Sequence, residues 1–561
     1  MNIKKYLSIG ALALTLGLSS CVGDLNLEPN DPNNANPDSP EFKEQLLSMC
    51  YLGIATSGIS GPGSSYVSGL DAGTSAYLRM IFTLSEFCSD ELVWIWADAG
   101  VTDIVSCTWA ANNGLLEGCY YRLIGHIAIC NQFLAKYPAD PSDVQLTNLR
   151  AQVRTLRAYS YYNLMDLFGQ VSFITEEAEI GENPVQVSRA WIFNWIESEL
   201  TDIVDNNQFG NLPVTYGQMG VDAAEGLLAR LYLNGELYTG TPYWKQCATR
   251  CSNIIARHQG TGYQGSGLVE NYLYVFCRDN NKYMPGGSGV NEILFGIAYD
   301  SEYTQSYGGP SFIISSTVSN THYLPRVDYG CASEWSCIRG IKQMAARFES
   351  GTPDTRCSLW LRGGEDVFPA GKEGDIEWGA ENYSDTFVGF TGDWSSCGGN
   401  AIIKFTGNVE DPNNPGELMK SIQYPDGTSF AGTDQPIIRL ADIYLMYAEC
   451  YIHDASSADP TLGKQYVDWV RGRAGVGSLG DQTFSISTLM DERSRELYLE
   501  SVRRTDLLRN DMFVGPTQSV WQYKGNIDNN EGTQIAEKYG LYPIPSAVLY
   551  AQPDFKQNPG Y

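Results

Sequence analysis

Residues 142–169, SDVQLTNLRAQVRTLRAYSYYNLMDLFG, constrain the fold more than any other stretch of this chain. Ser142 and Gln145 have the spacing of a capping box, and Gly169 supplies the left-handed residue that commonly ends a helix. No Pro or Gly interrupts the turns between them. Apolar residues recur at helical spacing, namely Leu149, Val153, Leu156, Leu164 and Leu167. The stretch therefore predicts one long helix.

Three arginines, Arg150, Arg154 and Arg157, follow the same period on another face of this predicted helix. A stripe of charges on a helix is usually solvated, so a solvent-facing surface is the first expectation. The alternative is a structural role in ion pairs. The candidate partners are Glu492, Glu496 and Glu500.

Helical periodicity recurs on both sides of a long irregular region. Helices are predicted over 41–57, 75–87, 115–136, 188–206, 221–238, 243–257, 436–454, 462–474 and 485–510. Between about 259 and 435 Gly, Asn, Ser and Pro become frequent. That region predicts strands at 291–299 and 400–407 and one helix at 338–349.

Two consecutive predicted helices, at 221–238 and 243–257, have the helix–turn–helix rhythm of a tetratricopeptide unit. Small residues on the first helix would let a partner helix approach closely, and these are Ala223, Ala224, Gly226 and Ala229. The predicted fold is therefore mainly α. It has a tetratricopeptide-like scaffold of helical pairs at 41–258 and 436–561, which carries an irregular insertion of loops and short strands at 259–435, all within one domain of residues 41–561.

The chain begins with a predicted export signal. Lys4 and Lys5 precede an apolar run at 6–18 that is too short to span a bilayer, and the sequence Leu-Ser-Ser-Cys ends at Cys21. This pattern predicts a lipoprotein signal peptide over 1–20 and lipidation of Cys21, with an unlipidated cleaved signal as the alternative. Residues 21–40 are rich in Asn, Asp and Pro, which predicts a flexible tether.

The composition argues against several classes of function. A formal charge of −28 disfavours nucleic acid as a partner, whereas it does not exclude neutral ligands. The chain has four histidines and, besides Cys21, 13 cysteines, and none of them has the spacing of a zinc site. We therefore expect histidines with hydrogen-bonded rings, mostly buried thiols and one or two disulfides at most. No motif for acyl transfer or nucleotide binding is present, and residues 22–40 lack the calcium-loop pattern. No cofactor is required, and structural calcium is possible but unsupported.

Four stretches in order carry a resemblance to a known family. They are 142–169 with its exit FGQVSFIT, QPIIRLADIYLMYAEC at 435–450, ERSRELYLESVRRTDLLRN at 492–510 and YPIPSAVLYAQPDFKQNPGY at 542–561. With the leader, they resemble the SusD/RagB family of surface nutrient-binding lipoproteins. The resemblance runs from the leader to the last residue. It implies attachment to the outer membrane through a lipid anchor, and a SusC-like TonB-dependent transporter as partner.

Aromatic residues concentrate in three further stretches, at 70–100, 306–312 and 333–337. Sugar rings stack their C–H faces on aromatic rings, and their hydroxyls bond to Arg and carboxylate groups. Trp94 and Trp96 alternate along one extended segment, so both indoles lie on the same side of it. We expect Trp94 to be exposed and Trp96 to be buried.

These stretches are also similar to starch-binding members of the family. The similarity implies that the sugar stacks on an arc of three rings, Trp94, Tyr307 and Trp335. It also implies that Asp71 and Arg79 bond to the sugar. The position of a further polar partner, an Asn, does not match, and Asp98 or Ala99 stands in its place.

The predicted function is therefore non-catalytic binding of starch or maltooligosaccharides at the cell surface, and delivery of these α-glucans to the transporter. Binding of another glycan or of peptides by a divergent family member is the alternative. A glycoside hydrolase is less favoured, because acidic pairs are frequent in the chain but no catalytic motif supports one.

Overall fold

The structure is a computed structural model. It describes residues 39–179, 181–283, 290–317, 335, 337–348, 354–356, 360–361, 401–402, 404–405, 410–411, 414–418, 430–480, 484–516, 518–526 and 531–561. The predicted signal peptide, Cys21 and nearly all of the predicted tether lie outside these residues.

Helices dominate the described chain, and the fold is mainly α with a tetratricopeptide-like scaffold, as predicted. The α-helices are α1 Pro40–Ala55, α2 Tyr77–Glu86, α3 Val101–Val105, α4 Gly114–Lys136, α5 Val144–Phe168, α6 Arg189–Asp205, α7 Val221–Leu233, α8 Gly235–Thr239, α9 Trp244–His258, α10 Gly309–Thr317, α11 Lys342–Ala346, α12 Leu440–His453, α13 Pro460–Arg473, α14 Ile486–Leu497, α15 Arg503–Arg509 and α16 Ser546–Ala551. The strands are β1 Leu92–Trp94, β2 Val171–Phe173, β3 Val185–Val187, β4 Ile293–Ile297, β5 Ile338–Gly340, β6 Trp360–Leu361, β7 Ala401–Ile402, β8 Glu410–Asp411, β9 Asn414–Leu418 and β10 Gln435–Arg439.

Helix α5 confirms the long helix predicted from residues 142–169, but its N-terminal cap differs. The cap is Asp143, whose carboxylate accepts the backbone N–H of Leu146 at 2.9 Å. The Ser142 hydroxyl instead donates to Asp140 at 2.6 Å, so the predicted capping box is wrong. Gly169 ends the helix with a φ of +73°, as its position predicted.

The arginine stripe of α5 does not face solvent. Arg154 donates to Glu199 at 2.7 Å, and Arg157 donates to the same carboxylate at 3.0 Å. Arg150 and Arg157 also pair with Glu176. The solvent-facing expectation is therefore wrong, and the alternative of a structural role in ion pairs is confirmed. The partners are not the acids at 492, 496 and 500, because the neighbouring helix α6 and the loop after β2 place carboxylates against this face.

The acids at 492, 496 and 500 belong to a separate, buried ionic network. Glu496 accepts hydrogen bonds from Arg356 and Arg439, each at 3.0 Å, and from Arg473. The side chains of all four residues are inaccessible to solvent. Because charges this deeply buried need partners, the network ties α14 to strand β10 and helix α13.

Helices from the two sides of the insertion pack together. Helices α7 and α9 form the predicted pair, and α12 packs on α9, where the rings of Trp244 and His453 stack 4.3 Å apart. A Cβ on Gly226 would lie 3.1 Å from Ile438 Cγ2. Gly226 therefore allows strand β10 to approach helix α7 closely.

Strand pairing overrides helical periodicity at two predicted helices. Residues 338–340 form β5, antiparallel to β1, and residues 435–439 form β10, antiparallel to β4. The helix predicted at 485–510 is also broken, because Leu499 and Ser501 have φ values of 62° and 63°. These backbone conformations cannot continue an α-helix.

The chain divides into two compact units, Met1–Met49 and Cys50–Tyr561. The domain boundaries expected at 20 and 40 fall within the first unit and stay predictions. In the part of the chain that the structure describes, no helix combines the length and apolarity needed to cross a membrane.

The described cysteines are core residues, and each described histidine has a hydrogen-bond partner. Ten cysteines are buried among the described residues, and these are Cys50, Cys88, Cys107, Cys119, Cys130, Cys247, Cys251, Cys277, Cys337 and Cys450. Burial lowers the pKa of His126 to about 4, and its ring bonds to Ser160 and to the Cys50 carbonyl. His258 bonds to Asp222 at 3.0 Å. His322 lies outside the described residues.

Candidate functional site

Two short strands bring the predicted site together across a long separation in sequence. β1 and β5 pair antiparallel, with Trp94 opposite Ile338. The backbone N–H of Ile95 extends this ladder by donating to the Cys337 carbonyl at 2.9 Å. Residue 335 is therefore held close to the end of β1.

A row of four rings runs outward from this point. The ring centroids of Trp94 and Phe312 are 5.8 Å apart, with planes inclined by 26°. Phe312 is followed by Trp335 at 6.4 Å, and Trp335 by Tyr307 at 6.5 Å. Tyr307 is 39% exposed and Trp335 is half-buried. The three predicted aromatic residues therefore share one cluster, but Phe312 separates Trp94 from the other two.

The expected exposure of the two tryptophans of β1 and its exit is wrong. Trp94 is only 1% exposed, whereas Trp96 is half-buried. Trp94 is covered because Phe87 packs 5.4 Å away on one side and Phe312 on another. Its indole Nε1 has no hydrogen-bond partner among the described residues. Trp94 thus contributes the floor of the site, and the outer platform consists of Trp335 and Tyr307.

Arg79, on helix α2, lies over this row of rings. Its guanidinium carbon is 4.2 Å from the ring centroid of Phe312 and 5.9 Å from that of Trp94. Within the described residues it forms neither an ion pair nor a hydrogen bond. Burial lowers its pKa from the ordinary value, while Cys337 and nearby carboxylates act in the opposite direction. The stacked guanidinium therefore presents donors that no acceptor of the described chain occupies.

A cavity of about 360 Å³ lies beside Arg79. Its lining includes four of the six predicted ligand-binding residues, which are Asp71, Arg79, Trp94 and Asp98. Asp71 accepts the backbone N–H of Thr74 at 3.1 Å, so one of its oxygens also holds a turn. The exposed Asp98 carboxylate has no partner among the described side chains. Asp98 and its neighbour Ala99 both line this cavity, together with Trp94 at the end of β1.

Tyr307 reaches the same region through a close backbone contact. A Cβ on Gly73 would lie 2.7 Å from Tyr307 Cβ and 3.1 Å from an Arg79 nitrogen. The turn after Asp71 can approach both residues only because position 73 is glycine. All six predicted ligand-binding residues therefore belong to one neighbourhood.

Phe312 is the residue of this site that the sequence did not single out. It is fully buried, contacts two of the predicted rings and supports Arg79. The stretch 306–312 was identified as aromatic, but only Tyr307 within it was assigned a role. The spacing of five residues from Tyr307 gives no indication that helix α10 turns Phe312 inward.

The site offers stacking faces, a cationic donor fork and carboxylate acceptors. Aromatic faces suit C–H surfaces, and Arg and Asp suit hydroxyl groups. Among the described residues no group of three or more His, Cys, Asp or Glu side chains is arranged to hold a metal ion.

Comparison with known proteins shows which proteins this chain resembles. A model of the SusD family matches residues 408–561. The whole chain is 29% identical to the starch-binding protein SusD of Bacteroides thetaiotaomicron and covers 99% of that protein. The chain is therefore similar to SusD-family proteins, through the family model at its C-terminal part and through this relative along its whole length.

Solved structures of SusD-like proteins have the same fold. A SusD superfamily protein from Parabacteroides distasonis is similar with a TM-score of 0.65 and 20% identity, over 93% of this chain and 99% of that one. Surface glycan-binding protein A from B. thetaiotaomicron, solved with laminarihexaose, gives a TM-score of 0.63 and 14% identity, over 92% and 99%. SusD-family proteins are associated with the cell surface and bind carbohydrate without catalysing a reaction.

Proposed function

We propose that this protein captures α-glucans, such as starch and maltooligosaccharides, at the cell surface. The observation that carries the proposal is the arrangement around Arg79. Its guanidinium is stacked on Phe312, has no acceptor among the described residues and lines a cavity with Asp71 and Asp98. A guanidinium held in this way is ready to donate to two neighbouring sugar hydroxyls.

The row of rings supports a chain ligand. Trp335 and Tyr307 extend outward from the cavity with their centroids 6.5 Å apart and their planes inclined by 34°. Successive rings that change orientation favour a curved ligand, and helical α-glucans are already bent before they bind. The starch-binding name of the 29% identical relative favours the same ligand.

The proposal includes attachment and delivery. Lipidation at Cys21 would tether the protein to the outer membrane, and a SusC-like TonB-dependent transporter would receive the bound glycan. The motif at Cys21 supports the first statement and the resemblance to the family supports the second.

Isothermal titration with maltoheptaose tests the proposal. Trp335→Ala and Tyr307→Ala should each weaken binding about tenfold, because each removes a stacking contact of about 1 to 1.5 kcal/mol. Trp191→Ala is the matched control, since Trp191 is 45% exposed on helix α6 and lines neither this cavity nor its rim. Its affinity should equal that of the unsubstituted protein.

Laminarihexaose serves as the competing ligand in the same titrations. Tighter binding of maltoheptaose supports the α-glucan assignment, whereas tighter binding of laminarihexaose would replace it with a β-glucan. If neither oligosaccharide binds, or if both site variants bind like Trp191→Ala, the proposed site is wrong. A peptide ligand then becomes the better hypothesis.

A further inference from the structure

A second groove lies on a different part of the Cys50–Tyr561 unit. Helix α13 (Pro460–Arg473) forms one wall, and the glycine-rich loop at 260–267 forms the other. The groove is open to solvent and has a volume of about 600 Å³, within the usual size range of ligand pockets. It contains none of the residues of the site described above.

One face of α13 supplies an aromatic platform. Gln465, Trp469 and Gly472 follow one another at helical spacing and all line the groove. Trp469 is half-buried, with Tyr444 and Tyr466 packed against it at centroid distances of 5.6 and 5.5 Å. These neighbours hold the indole in place, so the platform requires little ordering when a ligand stacks on it.

The opposite wall is a loop that is stabilised by hydrogen bonds within its own backbone. Gly260 N–H donates to the Gly265 carbonyl at 2.8 Å, and Tyr263 N–H donates to the Leu268 carbonyl at 2.7 Å. The loop requires glycine at 262, where φ is +64° and a Cβ would lie 2.1 Å from the Leu268 oxygen. It therefore presents the side chain of Tyr263 from a well-supported backbone.

The two walls meet where Tyr263 packs on α13. A Cβ on Gly472 would lie only 2.7 Å from Tyr263 Oη, so the helix has no room for a side chain at this position. Gln264 adopts a left-handed backbone conformation with φ of 49°, and its amide donates to Tyr263 Oη at 3.0 Å. A strained non-glycine residue beside a pocket is a common feature of binding sites.

The polar groups of the groove indicate the chemistry of its ligand. Lys464 already donates to the Gly480 carbonyl, and Asp468 accepts the Leu479 N–H at 2.8 Å. In contrast, the Gln465 amide and the Trp469 indole N–H bond to no residue that the structure describes. The groove thus combines uncharged donors and acceptors beside aromatic faces with one cation and one anion, whose charges balance. In a chain with a formal charge of −28, this combination suits a neutral, hydroxyl-rich ligand rather than an anion.

We infer that this groove is a second saccharide-binding site, which takes a neutral oligosaccharide. The sugar stacks on Trp469, Tyr263 closes the opposite side, and Gln465 bonds to the hydroxyl groups. Two separate sites on one chain would let the protein hold a polysaccharide at two points, which raises its effective affinity without any further contact.

Fluorine NMR of the full-length protein labelled with 5-fluorotryptophan tests the inference. Comparison with Trp469→Phe, Trp335→Phe and Trp191→Phe assigns three resonances, which report on the groove, the first site and a control surface. The probes are maltoheptaose and laminarihexaose at up to about 10 mM, enough to detect a dissociation constant of about 1 mM. At least one probe should shift the Trp469 resonance and leave the Trp191 resonance in place.

Two further variants separate this site from the first. In the Arg79→Met/Trp335→Ala protein the shift of Trp469 should persist, because the groove uses neither residue. Gln465→Ala retains the reporter and should weaken the response of Trp469 about tenfold. The inference is overturned if Trp469 responds to neither probe, if its response disappears with the first site, or if Gln465→Ala leaves the titration unchanged. If only the proposed α-glucan site is wrong, the probes will shift the Trp469 resonance and leave the Trp335 resonance unchanged.

Discussion

Replacing Arg79 by Met separates a binding role from a structural one. Met keeps an unbranched apolar stem over Phe312 but removes the charge and every donor. In the folded protein Arg79 lies over two rings, at 4.2 Å from Phe312 and 5.9 Å from Trp94, and forms no ion pair with a described residue. The substitution loses a cation–π attraction of about 1 kcal/mol. It also removes the desolvation cost of a partly buried charge, which offsets this loss. We therefore expect the free energy of unfolding to change by less than about 1 kcal/mol.

The same substitution should strongly reduce glycan affinity. A hydrogen bond from a charged donor contributes about 1.5 to 3 kcal/mol, so a loss of about 2 kcal/mol corresponds to roughly thirtyfold weaker binding of maltoheptaose. Titration calorimetry measures the affinity, and urea unfolding followed by circular dichroism measures the stability.

Arg157→Met is the matched control for this experiment. Arg157 is also a buried arginine stacked near an aromatic ring, but it donates to Glu199 at 3.0 Å and pairs with Glu176. Its removal leaves buried carboxylates short of a partner and should cost about 3 kcal/mol of stability with no change in affinity. The reasoning about Arg79 is refuted if Arg79→Met destabilises the protein as much as Arg157→Met does, or if it binds maltoheptaose normally.

Three further predictions concern pH, the buried network and the anchor. Burial raises the pKa of Asp434 to about 6, so the contribution of this residue to stability should be full below pH 4 and fall by up to about 3 kcal/mol as pH rises from 4 to 6. Asp434→Asn should remove that component, and urea unfolding of both proteins across this range checks it; parallel pH profiles would contradict the prediction. Glu496→Gln should cost about 3 to 5 kcal/mol, because three buried arginines lose a charged partner, and near-normal unfolding by urea would show that the network is dispensable. Cys21→Ser should abolish incorporation of radiolabelled palmitate in cells and release the protein from the membrane fraction, and continued labelling would disprove lipidation at this residue.

Helix positions followed from the sequence because helices arise from local contacts. The pattern at 142–169 predicted α5 to within two residues, and Gly169 ended it as expected. The errors lie where a distant segment competes. Residues 338–340 and 435–439 became strands because β1 and β4, far away in the chain, offered them backbone hydrogen bonds.

The residues of the candidate site were predictable in part. The resemblance to starch-binding family members implies Asp71, Arg79, Trp94, Asp98, Tyr307 and Trp335, and these residues do lie in one neighbourhood. Their exposure was not predictable. Trp94 and Trp96 have similar local surroundings in the sequence, and only the packing of Phe87 and Phe312 decides which indole is covered.

The sequence by itself determined the mainly α scaffold, the acidic surface character and the residues available for stacking and hydrogen bonding. Tertiary structure alone decided that Phe312 lies between Trp94 and Trp335, that Arg79 has no acceptor among the described residues, and that α13 faces a glycine-rich loop. Helical periodicity depends on residues three or four positions apart, which a sequence displays directly. Burial and pairing depend on which distant segments meet, and here the decisive contacts join residues near 94 to residues near 312 and 335.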